Sequence, residues 1–162
     1  MILDGLIGQK LKWVQPHSFR LEYELHAQGS IIATLRYPRF FDPFAIAESG
    51  GESWTFKGGK IRQPIVSIRT DRAETNVGVF RKNLWASSGI LEISDGRRYL
   101  ATVSGSRLSR YDISTEAGQI LVSYTNVWGV LHGSGETLVH RAAEGLAELP
   151  WIVLLGWHLV LV

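Results

Sequence analysis

The sequence predicts a mainly β fold, in which a closed antiparallel β-barrel of about twelve strands surrounds a buried hydrophobic C-terminal α-helix. Three observations lead to this prediction. Apolar and polar residues alternate with period two along most of the chain, as half-buried strands require. Turn signals recur about every 8–12 residues, a spacing typical of short strands in sandwiches and barrels. The ending, residues 149–162, is apolar nearly all round and lacks the alternation.

Length and composition fit a single folded domain. The chain has 162 residues, of which 45% are hydrophobic and 10% aromatic, enough for a sizeable core. We expect one domain over residues 1–162, with strands over about residues 9–141 and a central helix over about residues 149–162. The absence of cysteine excludes disulfides, cysteine nucleophiles and thiolate metal sites. The first residues lack the features of a secretory signal, so we expect a soluble, cytoplasmic protein that can be peripheral at a membrane.

The first half of the chain contains a one-sided strand and several short ones. Residues 19–26 alternate cleanly, which places Phe19 and three further apolar side chains on the buried face. A turn at residues 29–30 predicts a hairpin with the apolar run that follows it. Pro43 belongs at a turn or an edge. Further strands are predicted over residues 31–35, 45–48 and 53–56.

The second half is more regular. Asp95 and Gly96 separate two alternating runs, and this dipeptide is among the strongest hairpin signals because both residues tolerate positive φ. Strands are predicted over residues 65–69, 76–81, 85–94, 99–103, 110–114 and 119–125, with a weaker one over 137–140.

The ending predicts a helix that cannot serve as a transmembrane anchor. Pro150 suits the first turn of a helix, and Glu148 before it suits the positive end of the helix dipole. Residues 150–162 would span roughly 20 Å as a helix, whereas a bilayer core needs about 30 Å. His158 adds a further cost in lipid. The alternatives are packing on a partner and filling the inside of a barrel.

A helix that is hydrophobic on all sides belongs in the centre of a protein, and a closed barrel can surround it. We expect His158 to be buried without metal, its ring N–H bonded to a backbone carbonyl. Gly156 is expected where a barrel side chain, such as a tryptophan, approaches the helix backbone. The residues assigned to this structural core helix are Trp151, Leu154, Leu155, Trp157 and His158.

Positive charge is concentrated in the middle of the chain. Residues 57–110 contain eleven Lys and Arg against four Asp and Glu, although the net charge of the whole chain is only +2. Such a block can mark an anionic partner, and the alternative is a set of solvated outward positions on strands and turns. The segment from Lys57 to Lys60 is a further basic hairpin tip. The candidate anion-binding residues are Arg81, Lys82, Arg97, Arg98, Arg107 and Arg110.

No catalytic constellation is visible, so the sequence predicts neither an enzyme nor a cofactor. His132 and His140 are eight residues apart and have no carboxylate at a ligand spacing. The Ser-Gly segments at residues 104–106 and 133–135 are typical of turns, because neither lies between a strand and a helix. We therefore assign no catalytic residue and no metal ligand.

Four features of the sequence together resemble a known family. They are residues 63–69, the Asp95-Gly96 hairpin, the turn and strand of residues 116–120, and the ending at residues 149–162. A barrel of this kind around a hydrophobic C-terminal helix is similar to the tubby C-terminal-like superfamily, nearest in style to LURP-one-related proteins and phospholipid scramblases. The resemblance implies membrane-associated roles, since tubby proteins bind phosphoinositides through a basic barrel surface. No lipid-binding motif of that family matches this chain residue by residue.

The sequence leaves three functions open, besides an enzyme, which the lack of a visible catalytic constellation disfavours. The first is a non-catalytic barrel domain that binds anionic lipid headgroups, phosphoinositide-like, or another phosphate ligand on its basic surface. The second is a structural or protein-interaction domain without a ligand. The third is a lipocalin-like carrier of a small hydrophobic ligand, which requires the C-terminal helix to pack outside an open lumen. We expect an anionic membrane lipid as the partner and do not expect nucleic acid.

Overall fold

The computed structural model describes residues 3–39, 42–59, 64–71, 75–83, 88–105, 110–125 and 134–162. Within them the chain forms twelve strands and, after the last strand, the helix α1 (Leu149–Leu161). The strands are β1 (Lys10–Val14), β2 (Glu22–Ala27), β3 (Ser30–Arg36), β4 (Ala45–Ser49), β5 (Glu52–Gly58), β6 (Ile65–Thr70), β7 (Asn76–Asn83), β8 (Ser88–Ile93), β9 (Arg98–Ser104), β10 (Arg110–Thr115), β11 (Ile120–Thr125) and β12 (Gly135–Val139).

The strands form one closed antiparallel barrel, which confirms the predicted fold. Each strand pairs with its neighbours in the chain, and β1 closes the barrel by pairing with β12. In this closing pair Lys10 lies opposite Leu138, and Trp13 lies opposite Gly135. Because every neighbour runs antiparallel, successive connections alternate between the two ends of the barrel.

The strands form where the sequence alternates and end where turn residues interrupt it. On β2 the inward side chains, including Tyr23 and Leu25, are buried while their neighbours are partly exposed. Between β8 and β9, Gly96 takes a φ of 92°, and the amide of Ile93 donates to the carbonyl of Arg97 at 2.8 Å. The hairpin predicted from Asp95-Gly96 is therefore confirmed.

Helix α1 lies inside the barrel and fills it. Its residues are buried from Leu149 to Leu159, and it contacts β3, β4 and β5 on one side and β10 and β11 on the other. The ring of Trp157 stacks on that of Trp13 with centroids 5.0 Å apart and planes 4° apart. A continuous hydrophobic core therefore joins the helix to the inner face of the sheet. No helix in the described ranges has the length and apolarity needed to cross a membrane.

Helix and barrel fit together through small residues facing large ones. A Cβ on Gly135 of β12 would lie 2.8 Å from the ring of Trp157. In the reverse direction, Gly156 faces the ring of Tyr124, whose hydroxyl donates to the carbonyl of Val153 at 2.6 Å. The close approach expected at Gly156 is present, but a tyrosine makes it rather than a tryptophan. Tyrosine satisfies its polar atom on the helix backbone, which a buried hydroxyl requires.

The predicted strand over residues 19–26 begins later than expected. Strand β2 starts at Glu22, and Phe19 lies in the preceding connection with 97% of its surface exposed. The amide of Arg20 donates to the carbonyl of His17 at 3.2 Å, so a turn replaces the strand ladder here. The predicted inward orientation of Phe19 was therefore wrong. The first part of the predicted strand over residues 85–94 lies outside the described residues, and β8 begins at Ser88.

Candidate functional site

The alternating connections define two chemically different ends of the barrel. One end carries the connections β1–β2, β3–β4, β5–β6, β7–β8, β9–β10 and β11–β12. Here the amide of Tyr37 donates to the carbonyl of Leu21 at 2.9 Å, and α1 finishes beside them. The other end carries the remaining connections and the start of α1, where the amide of Gly8 donates to the carbonyl of Val139 at 2.9 Å.

The first end is basic. This end is taken as its connections together with the last two residues of the strand before each connection and the first two of the strand after it, over the described part of the chain. Six cations face three carboxylates. The cations that define this basic end are Arg20, Arg36, Arg39, Lys57, Lys82 and Arg110, against Glu22, Asp42 and Glu136.

The second end is acidic by the same count. Nine carboxylates face five cations in its described residues. The carboxylates of this acidic end are Asp4, Glu48, Glu52, Asp71, Glu92, Asp95, Glu116, Glu144 and Glu148, against Lys10, Arg69, Arg97, Arg98 and Arg141. The molecule therefore carries a charge separation along the barrel axis, although its net charge is close to zero.

The six predicted anion-binding residues do not form one surface. Arg81, Lys82 and Arg110 lie towards the basic end, near the end of β7 and at the start of β10. Arg97 and Arg98 lie at the acidic end, in and after the β8–β9 turn. Arg107 lies outside the described residues. Opposite ends of a barrel are farther apart than the Debye length of about 8 Å, so the two groups act separately.

Arg97 is occupied by partners within the fold. Its Nε donates to Asp95 at 2.7 Å, and its Nη1 donates to the buried carboxylate of Glu148 at 2.7 Å. The hydroxyl of Tyr99 also donates to Glu148, at 2.8 Å, and this bond and burial raise the pKa of Tyr99 to about 12. Backbone and side-chain hydrogen bonds from Arg97 lower the pKa of Asp95. Arg97 therefore ties the β8–β9 turn to the residue that precedes α1, and two carboxylates already balance its charge.

Two further arginines have carboxylate partners, one exposed and one buried. Arg98 pairs with Glu92 at 3.3 Å. Arg110 donates from Nε to Asp112 at 2.9 Å, and this bond raises the pKa of Arg110. These arginines are partly neutralised where they lie.

Lys82 is held at the mouth of the barrel. Its Nζ donates to the carbonyl of Gly59 at 2.6 Å, and desolvation by burial lowers its pKa. This bond directs the ammonium towards the end of the barrel rather than its side. Lys82 therefore contributes positive potential to the basic end.

Four cations at the basic end or close to it make no side-chain hydrogen bond or ion pair with any other described residue. Three are exposed at strand ends or next to them, and one is in the β1–β2 connection. They are Arg20, Arg36, Lys57 and Arg81. An exposed cation without a carboxylate partner keeps its full charge for an external anion.

His158 forms a buried polar cluster next to the basic end. Its Nε2 is 3.0 Å from the carbonyl of Gly58, and its Nδ1 is 2.7 Å from the hydroxyl of Tyr37. In the arrangement that satisfies both contacts, Nε2–H donates to Gly58 and the Tyr37 hydroxyl donates to Nδ1. Burial lowers the pKa of His158 to about 4, so the ring is neutral at pH 7. The cluster closes the interior of the barrel beneath the basic end.

Three cations of the basic end lie outside the basic block of residues 57–110 that was singled out from the sequence. Arg20, Arg36 and Arg39 lie within residues 1–56, where the charges sum to −1. The signal that finds them is the alternation of connections, because in an up-and-down barrel every second connection lies at the same end. Charge summed over alternate connections, rather than over a contiguous block, predicts the basic end.

The described residues contain no group of three or more His, Asp or Glu side chains arranged to hold a metal ion. His140 is 2.9 Å from the hydroxyl of Ser123, and His132 lies outside the described residues.

Comparison of the chain with known proteins found no matching family model, no matching curated protein and no matching solved structure. The candidate site therefore rests on geometry and charge alone.

Proposed function

We propose that this protein is a non-catalytic barrel domain whose basic end binds anionic phospholipid headgroups of the phosphoinositide type. The observation that carries the proposal is the separation of charge along the barrel axis. An anionic plane attracts the basic end and repels the acidic end, so the charges favour a single end-on orientation.

The free cations support a headgroup as the ligand. Lys57, Arg81 and Arg36 are exposed on the outer face near the basic end, and long cationic side chains there can reach phosphate oxygens. On β7, Arg81 lies between Ile65 of β6 and Ile90 of β8 in the strand register. Both isoleucines are exposed apolar residues, so this row offers a cation within an apolar surface, as an interfacial contact requires.

The four sequence features that resemble the tubby C-terminal-like superfamily support the same proposal. A barrel around a central helix is the architecture that this resemblance implies, and binding of phosphoinositides on a basic surface is the function it implies. The filled interior favours an external ligand over a carried one, because α1 occupies the space that a lipocalin-like carrier would need.

Co-sedimentation with lipid vesicles tests the proposal. The vesicles are phosphatidylcholine alone, or with phosphatidylserine, or with a phosphatidylinositol bisphosphate. The test variant is Lys57→Ala/Arg81→Ala. The matched control is Lys10→Ala/Lys12→Ala, which removes the same charge from β1, four strands from β5 and six strands from β7 around the barrel.

We expect the wild type to bind anionic vesicles and to leave phosphatidylcholine vesicles unbound. Each cation near an anionic membrane contributes about 1 kcal/mol, so the test variant should bind roughly 30-fold more weakly at low salt. The control should bind within about threefold of the wild type, since its charges lie beyond a Debye length from the contact. Equal binding of all three proteins, or no binding by the wild type, would leave the structural or protein-interaction domain as the better description. An arginine change at residue 97 would not serve as the test, because it breaks the bond to Glu148.

A further inference from the structure

Phe19 is an exposed aromatic side chain at the basic end of the barrel. It shows 97% of its surface, compared with 54% for Ile31, the next most exposed large hydrophobic residue of the described chain. It lies in the β1–β2 connection, residues 15–21, between Ser18 and Arg20, both of which are also exposed. A phenylalanine this exposed gains no free energy from burial within the fold, so its full apolar surface is available to a contact outside the chain.

The connection that carries Phe19 is held by hydrogen bonds within the fold. The side-chain amide of Gln15 donates to the carbonyl of Arg20 at 2.9 Å, closing the loop on itself. The carbonyl of Leu21 accepts from the amide of Tyr37, which joins this loop to the β3–β4 connection. Phe19 is therefore presented at a turn whose two sides are anchored, beside a second connection that carries Arg39.

The charges around Phe19 indicate what covers it. Its neighbour Arg20 and the adjoining Arg36 have no side-chain partner among the described residues. Arg39, in the next connection, pairs with Asp42 at 3.7 Å. A basic protein surface would be repelled here, and an apolar protein pocket would leave Arg20 and Arg36 without partners. The interface of an anionic bilayer offers headgroup phosphates for the cations and an acyl boundary for the ring at the same time.

We propose that Phe19 inserts into the interfacial region of an anionic phospholipid bilayer when the basic end docks on it. This inference rests on the proposed function and adds the apolar contact that charge alone lacks. Stable attachment of a peripheral protein takes two signals, and Phe19 supplies the second beside the cations. The apolar pattern of residues 19–25 then serves two contacts: Tyr23 and Leu25 of β2 face the core, and Phe19 faces the bilayer.

The absence of native cysteine permits a direct test. Phe19→Cys and Ile31→Cys are each labelled with an environment-sensitive fluorophore, so that each protein carries one probe. Ile31 is the matched control, since it is also an exposed apolar residue but lies at the start of β3, at the acidic end. Vesicles of phosphatidylcholine with phosphatidylserine are titrated into both, with phosphatidylcholine vesicles as the neutral comparison.

We expect the probe at residue 19 to shift to shorter wavelength and brighten with anionic vesicles, and the probe at residue 31 to remain as in water. In co-sedimentation, Phe19→Ser should lower the partition coefficient about tenfold, as expected for loss of one buried aromatic side chain. Ile31→Ser should change it less than about twofold. Because Phe19 is exposed, Phe19→Ser should keep the Tm of the wild type within about 2 °C.

The outcomes separate this inference from the proposed function. Wild-type protein that fails to bind anionic vesicles overturns both. Binding that depends on Lys57 and Arg81 but is equal in Phe19→Ser, with an unresponsive probe at residue 19, overturns only the insertion of Phe19. A probe at residue 19 that responds to protein concentration without vesicles would show that a second copy of the chain covers this residue. That result would also overturn the insertion of Phe19.

Discussion

Replacing Gly156 by alanine tests how tightly the helix fits the barrel. In most helices this change is favourable by about 1 kcal/mol, because alanine is the better helix former. Here a Cβ at residue 156 would overlap the Oη, Cζ and Cε2 atoms of Tyr124. We therefore expect Gly156→Ala to destabilise the protein.

The magnitude follows from how little Tyr124 can move. The side chain is completely buried, its hydroxyl donates to the carbonyl of Val153 at 2.6 Å, and its ring packs edge-on against Tyr111 with centroids 6.3 Å apart. Overpacking of a closed core costs about 1–3 kcal/mol and occasionally more. Because three ring atoms overlap the new Cβ, the cost here should reach the upper end, about 3 kcal/mol, and after subtraction of the helix-propensity gain of about 1 kcal/mol the free energy of unfolding should fall by about 2 kcal/mol.

The assay is urea unfolding of four proteins: wild type, Gly156→Ala, Tyr124→Ala and the double variant. In thermal unfolding of the same proteins, a loss of about 2 kcal/mol corresponds to a fall in Tm of roughly 4–8 °C for a chain of this size. In the Tyr124→Ala background the obstructing ring is gone, so Gly156→Ala should become neutral or stabilising by up to about 1 kcal/mol. The sign of the effect should thus reverse between the two backgrounds.

The reasoning is refuted if Gly156→Ala stabilises the wild-type protein, or if its effect is the same with and without the Tyr124 ring. Either result would mean that the helix backbone and Tyr124 are not in contact in the folded protein. A change in the urea m-value without a change in midpoint would point to the unfolded state instead.

Three further predictions concern the helix and its two ends. Truncation after Leu149 removes the helix that fills the barrel and leaves the inner face of the sheet uncovered, so the shortened chain should show no cooperative thermal transition; a transition near that of the full chain would contradict the central position of α1. His158 has a folded pKa of about 4 and an ordinary value of 6.5, so the unfolded state takes up the proton first and stability falls as pH drops from 6.5 to 4, by about 3 kcal/mol. Urea midpoints measured across this range should fall less in His158→Gln, and equal slopes would contradict the assignment. Arg97→Ala removes the cationic partner of the buried Glu148 carboxylate and should cost about 1–2 kcal/mol in thermal unfolding, less than for a fully buried pair because the arginine is half exposed. The control Arg98→Ala loses only its exposed pair with Glu92 and should cost less than about 1 kcal/mol; equal losses would mean that Glu148 does not depend on Arg97.

Much of the architecture was predictable because it depends on local patterns. Alternation with period two predicted the strands, and Asp95-Gly96 predicted its hairpin. The all-round apolar ending predicted a central helix, since a short helix without a polar face has no stable place on a protein surface. Only a barrel closed on itself surrounds such a helix, so the helix also predicted the closure.

The sequence by itself thus determined the strands, the helix and their arrangement as a closed barrel, because hydrophobic periodicity and turn chemistry act between residues close in the chain. Only the tertiary structure decided which distant residues meet. It paired Gly156 with Tyr124 rather than a tryptophan, and it placed Arg97 against Glu148 at the acidic end. It also excluded Phe19 from the core, because the hydrogen bonds of the β1–β2 connection begin the strand three residues later. A contiguous basic block was divided between two ends for the same physical reason: in an antiparallel barrel, position along the axis is set by strand direction and not by distance along the chain.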